Sequence, residues 1–104
     1  MTKITYYLDD NGDEIDLKMN LCMAFADIDE PESVRAFLED VASPGEIRAM
    51  SQRLEVARLL CESKTYPEIM KLTGAGTATI SRVKRCLEHG PGGYRRALIR
   101  LGVL

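Results

Sequence analysis

The 104-residue sequence predicts an all-α fold, a helical bundle that contains a helix-turn-helix. Three observations carry that expectation. Apolar residues recur at helical spacing from Leu17 onward, two helix starts of the Ser/Thr-x-x-Glu kind stand at Ser43 and Thr65, and a glycine turn at Gly74 separates two short amphipathic stretches. With no Trp and only two Phe, the core must come from Leu, Ile, Val, Met and Ala. So small a chain buries a modest fraction of its surface, which makes dimerisation an attractive source of further burial.

Leu17, Leu21, Ala24, Phe25 and Ile28 share the first helical face. Asp29-Glu30-Pro31 restarts the chain, since proline suits the first helical position, and Val34, Phe37, Leu38 and Val41 form the next stripe. In Ser43-Pro44-Gly45-Glu46, Ser43 can cap, Pro44 fits the first turn and Glu46 completes a capping box. The helix it opens carries Ile47, Met50, Leu54, Ala57 and Cys61 on one stripe, and Val56, Leu59 and Leu60 widen it. A helix this broadly apolar is expected to be packed from several sides. Thr65-Tyr66-Pro67-Glu68 repeats the device for a short helix ended by Thr73-Gly74-Ala75-Gly76. A further helix is expected from Thr77 to about Glu88, stopped by His89-Gly90-Pro91-Gly92-Gly93. The last, Tyr94–Leu101, should turn Tyr94, Leu98 and Leu101 inward.

Residues 1–16 stand apart as an N-terminal extension to a single domain of residues 17–104. Ile4, Tyr6 and Leu8 alternate with their neighbours, Asp10-Asn11-Gly12-Asp13 offers a turn, and Glu14 to Leu17 alternate again, so a hairpin or loose arm is expected. Asp9-x-Asn11-x-Asp13 looks like the start of a calcium loop, but Glu14 takes the glycine position and Asn20 the bidentate-Glu position, which excludes it.

The net charge of −2 averages two unlike halves. Residues 1–42 hold three Lys/Arg against eleven Asp/Glu, a balance of −8, and residues 43–104 hold eleven against five, a balance of +6. Such asymmetry points to a nucleic-acid face on the second half. Cys22, Cys61 and Cys86 are scattered and odd in number, the pattern of reduced thiols in a cytoplasmic protein, and no metal site or cofactor is expected. Neither an export signal nor a membrane span is expected. There is no nucleophile–base pair, metal cluster or phosphate loop, and Gly74-Ala75-Gly76 lacks the following Lys of a phosphate loop, so an enzyme is not expected.

Short helix, glycine turn and second helix form the layout of a helix-turn-helix from Thr65 to Leu87. Ile69 supplies the first inward contact, Ala75 a small buried residue, and Ile80, Val83 and Leu87 the inward face of the second helix. Thr73 is the weak point, where a larger apolar residue would be usual. On the outward face, Thr77, Ala78, Thr79 and Ser81 are small enough to approach base edges, and Arg82, Lys84 and Arg85 can hold phosphates. Lys71 and the Tyr66 hydroxyl can do the same from the first helix.

The segments "QRLEVARLL" and "LTGAGTATISRVKRCL" resemble the Trp repressor superfamily, in its YerC/YecD-like branch, over about Leu17 to Leu104. The resemblance implies an interlocked homodimer that presents two recognition helices to double-stranded DNA as a transcriptional regulator, most often a repressor. It also implies an effector pocket. The family's corepressor positions fall here on Ser43, Arg53, Arg82 and Cys86. A glycine beside the second arginine makes room for the indole, and Val83 stands in its place, so tryptophan is not expected as the corepressor. Whether another small molecule binds is left open. The alternative to a DNA-binding regulator is a helical module that binds protein through the acidic residues 1–42.

Overall fold

The computed structural model describes residues 6–104, and the chain divides into two compact units, Met1–Ala42 and Ser43–Leu104. The unit boundary coincides with the change of charge sign.

The first unit opens with the expected hairpin. Strands β1 (Tyr6–Leu8) and β2 (Glu14–Asp16) run antiparallel, with Tyr7 opposite Ile15. The Asp9 carboxylate closes the loop by accepting from the amides of Asn11 and Asp13, each at 2.9 Å, and Gly12 takes a left-handed φ of 81°. Ile4, the first residue of the alternation, lies outside the described residues. Asp16 then caps α1 (Leu17–Ala26) by accepting from the Met19 amide at 2.9 Å. The helix stops at Ala26, so Ile28 falls in the connection and not on the helical face expected for it. Helix α2 (Pro31–Val41) begins at its proline, and Phe25 and Phe37 meet edge to face with ring centroids 5.0 Å apart. Neither helix buries a single residue. Met19, Met23 and Val41 are more than half exposed, and Leu17 and Leu21 are nearly as open.

The second unit is organised on α3 (Pro44–Cys61), followed by α4 (Tyr66–Thr73), α5 (Thr77–His89) and α6 (Gly93–Arg100). Both capping boxes form as the sequence predicts, at Ser43/Glu46 and Thr65/Glu68. The core is one cluster: Val56, Ala57 and Leu59 of α3, Ile69 of α4, Ala75, then Ile80 and Val83 of α5, and Leu98 of α6. Ala75 belongs to it from the turn before α5. Leu54, Leu60, Cys61, Tyr66, Leu87 and Tyr94 pack around it, half-buried. Leu101 is a correction. Helix α6 ends one residue before it, and Gly102 at φ 79° turns the chain back so that the Val103 amide donates to the Leu98 carbonyl at 3.1 Å. Leu101 is left 61% exposed. Among the described residues no helix is long and apolar enough to cross a membrane, and no group of acidic, His and Cys side chains could hold a metal.

The same C-terminal closure ends α3, where the Lys64 amide donates to Leu59 and the Ser63 amide to Leu60. Here the left-handed position belongs to Ser63 at φ 63°, the one non-glycine residue with positive φ among those described. Its Cβ opposes that conformation. Ser63→Gly is therefore expected to stabilise the chain by about 0.5–1 kcal/mol in urea unfolding, the backbone relief exceeding the extra entropy of the unfolded glycine. Acid gives a second check. The Ser43 amide, and then its hydroxyl, hold the Glu46 carboxyl below the usual carboxylate range. A lowered folded value means stability that is present above the ordinary carboxylate pKa and lost as pH falls through the folded one. Glu46→Gln should thus be less stable than the wild-type chain at neutral pH, and the two urea midpoints should converge as the pH falls below the usual carboxylate range and through the lowered folded value.

Candidate nucleic-acid interface

Helices α4 and α5 are joined by a three-residue turn whose geometry rests on Gly74, at φ 75° and ψ 2°. Its amide donates to the Met70 carbonyl at 2.9 Å and closes α4. Thr73, the position that looked weakest in the sequence, ties the turn together. Its hydroxyl donates to the Ile69 carbonyl at 2.7 Å and accepts from the Ala75 amide at 3.1 Å. A larger apolar residue could do neither. From α3, the Gln52 side-chain amide donates to the Thr73 carbonyl at 3.0 Å, a bond across 21 residues. Sequence reasoning missed Gln52, because nothing local distinguishes it from any polar residue on a helix.

The turn delivers α5 with Ile80 fully buried and Val83 at 1% exposure. At about 100° per residue the opposite face is then set. Ala78, Ser81, Arg82 and Arg85 occupy its centre, all exposed, with exposed Thr77 and half-buried Thr79 on its flanks at the N-terminal end. Lys84 is exposed on the edge nearer the core. Gly76 caps α5 without a side chain, and a Cβ built there would meet nothing within 4 Å. The amides of Thr77, Ala78 and Thr79, in the first turn, have no intrahelical acceptor. The face runs from small hydroxylic residues to cations, and among the described residues none of Arg82, Lys84 and Arg85 enters an ion pair.

Helix α4 contributes Tyr66, whose hydroxyl lies 3.4 Å from the Ser81 hydroxyl, so these two site residues meet. Lys71 is exposed on α4. The C-terminal end of α5 is held by Arg95, which donates to the Leu87 carbonyl at 3.3 Å, a cation at the negative end of the helix.

The four residues aligned with an effector pocket are less closely assembled. The Ser43 hydroxyl is engaged in its capping box with the Glu46 amide at 3.1 Å. Arg53 is half-buried midway along α3, and Arg82 is exposed on α5. Cys86 lines an open apolar cleft of about 400 Å³ with Leu54, Pro91, Gly93, Tyr94 and Ala97, and none of the other three reaches it.

A sequence profile described as Trp repressor protein matches residues 17–102. The chain belongs to the Trp repressor family. It is 46% identical to the uncharacterized protein YerC of Bacillus subtilis over 90 residues, covering 86% of this chain and 84% of that one. A TrpR-like protein from Eubacterium eligens superposes with a TM-score of 0.77 at 45% identity, over 83% of this chain and 89% of that chain. A candidate Trp repressor from Staphylococcus aureus gives 0.78 at 37% identity, over 84% and 87%. The family is one of regulators, and its match starts at Leu17, leaving the hairpin outside it.

Gly74→Ala tests the turn. The nearest atom to an added Cβ is Gln52 Nε2 at 3.9 Å, so there is room, and the cost is one of backbone conformation. We expect a loss of about 1 kcal/mol in urea unfolding, whereas Gly76→Ala, at an ordinary negative φ, should leave stability nearly unchanged, because the poorer N-cap is offset by the lower entropy of the unfolded chain.

Proposed function

We propose that this Trp repressor family member is a homodimeric, sequence-specific DNA-binding transcriptional repressor of the cytoplasm, with α5 as its recognition helix. The observation that carries the reading is the outward face of α5, hydroxylic at its start, cationic beyond, and held by a buried face that includes Ile80 and Val83. Thr77, Ala78, Thr79 and Ser81 meet base edges, while Arg82, Lys84, Arg85, Lys71 and Tyr66 meet phosphates. Two features support a homodimer. Neither α1 nor α2 has a buried residue, and their leucines Leu17 and Leu21, their methionines and Val41 are exposed, apolar side chains that a second subunit would cover.

Tryptophan does not fit as corepressor. Val83 is packed in the core at the position where the family's ligand needs a glycine. Any effector held through Ser43, Arg53, Arg82 and Cys86 would have to be of another shape, so the repressor acts without an indole ligand.

Selection from a random duplex pool, with and without added amino acids, is expected to return one two-fold symmetric motif unaffected by tryptophan. Affinity for it should fall steeply with salt, since each neutralised phosphate releases counterions. Arg82→Ala and Arg85→Ala should each weaken binding to every duplex and lower the salt slope by about one, whereas Thr77→Ala or Thr79→Ala should change which sequence is preferred. Equal affinity for selected and scrambled duplexes would overturn sequence-specific binding.

A further inference from the structure

We infer that Gln52 and Thr73 form a clamp that sets the angle of the recognition helix and so determines how sharply the protein discriminates between DNA sequences, an inference that rests on the reading of α5 above. Neither residue lies on the outward face of α5. Gln52 sits on α3, the helix that supplies Val56, Ala57 and Leu59 to the core, and it is half-buried there. Its amide reaches the Thr73 carbonyl at 3.0 Å, at the last residue of α4, just before the left-handed Gly74. That carbonyl is one of the acceptors that a helix end leaves without an intrahelical donor. The Thr73 hydroxyl adds bonds to Ile69 on one side and Ala75 on the other, at 2.7 and 3.1 Å. Three side-chain hydrogen bonds thus meet at Thr73, where α4 passes into the turn. Apolar packing alone leaves α5 free to rotate or slide by a fraction of an ångström, because dispersion and burial are not directional. Hydrogen bonds are directional: the two at the Thr73 hydroxyl tie the turn to α4, and the one from Gln52 ties that junction to the helix that carries the core.

The consequence separates specificity from affinity. Phosphate attraction from Arg82, Lys84 and Arg85 tolerates a small shift of α5, since charge interactions fall slowly with distance. Base-edge hydrogen bonds from Thr77, Thr79 and Ser81 do not, because they weaken steeply with angle. Loosening the clamp should therefore erode discrimination while leaving general DNA affinity in place.

The test uses the full-length chain, the selected motif and a scrambled duplex, with Gln52→Met, which keeps the length and removes the donor, and Thr73→Val, which keeps the shape and removes the hydroxyl. Each variant is expected to bind the scrambled duplex with the wild-type affinity and salt slope and to lose about tenfold in the ratio of selected to scrambled affinity, the worth of roughly one mismatched base pair. In the absence of DNA, amide exchange at the bonded Gly74, Ala75 and Ile80 should quicken by about tenfold in both variants, with the Val56–Leu59 amides unchanged. An unchanged ratio in folded variants, or equal loss on both duplexes, would overturn the inference. So would unchanged exchange at the turn, a readout that decides the clamp even if one variant binds DNA poorly. Failure of the wild-type chain to select any motif would instead overturn the reading of α5 as a recognition helix, and the two failures are told apart by the wild-type arm alone.

Discussion

Helices of eight residues do not persist in water on their own, because too few hydrogen bonds repay the cost of nucleation, and α4 and α6 are both of that length. Each is held by what it buries on α3 and α5. Ile69 on one and Leu98 on the other are almost wholly withdrawn from solvent, and both belong to the cluster with Val56, Ala57 and Leu59 of the 18-residue α3. That shared cluster is the constraint on which the second unit depends. Residues of α5 that join it cannot also face solvent, so the burial of Ile80 and Val83 decides which side chains of α5 are turned outward. The candidate interface is the complement of the core.

The parts of this arrangement written in local chemistry were legible in the sequence. Both capping boxes, the prolines in their first turns and the glycine that ends α4 act within four residues of one another, so their pattern alone predicts them. The two faces of α5 follow from helical geometry once Ile80 and Val83 are assigned inward. The hairpin was legible too, although its loop is closed by the Asp9 carboxylate and reaches from Asp9 to Asp13, wider than the Asn-Gly pair that signals it.

Other parts were not legible, for physical reasons. Leu101 keeps the helical spacing of Tyr94 and Leu98, but Gly102 reverses the chain immediately after it, and periodicity cannot register a helix that stops one residue early. Thr73 looked deficient because the pattern weighs apolar volume, whereas this turn is held by hydrogen bonds. Its partner Gln52 lies 21 residues away, beyond any local rule. The apolar residues of α1 and α2 were visible as stripes, yet a stripe does not say whether its own chain covers it. Here it does not: Leu17, Leu21 and Val41 remain exposed.

Basic residues also stand on α6, where Arg95, Arg96 and Arg100 are all exposed, so the assignment of DNA to α5 makes a claim that positive charge alone does not. Arg95 and Arg96 are partly occupied, donating to the Leu87 and Pro91 carbonyls at 3.3 and 3.1 Å. Among the described residues the cations of α5 have no such bonds, and α5 also carries small hydroxylic residues at its N-terminal end. Titrating the labelled protein with its selected duplex and following backbone amide shifts tests this most directly. Large shifts from Thr77 to Arg85, with smaller ones at Tyr66 and Lys71 and little change along α6, are the expected result. Shifts centred on Arg95 to Arg100, with α5 unmoved, would contradict it.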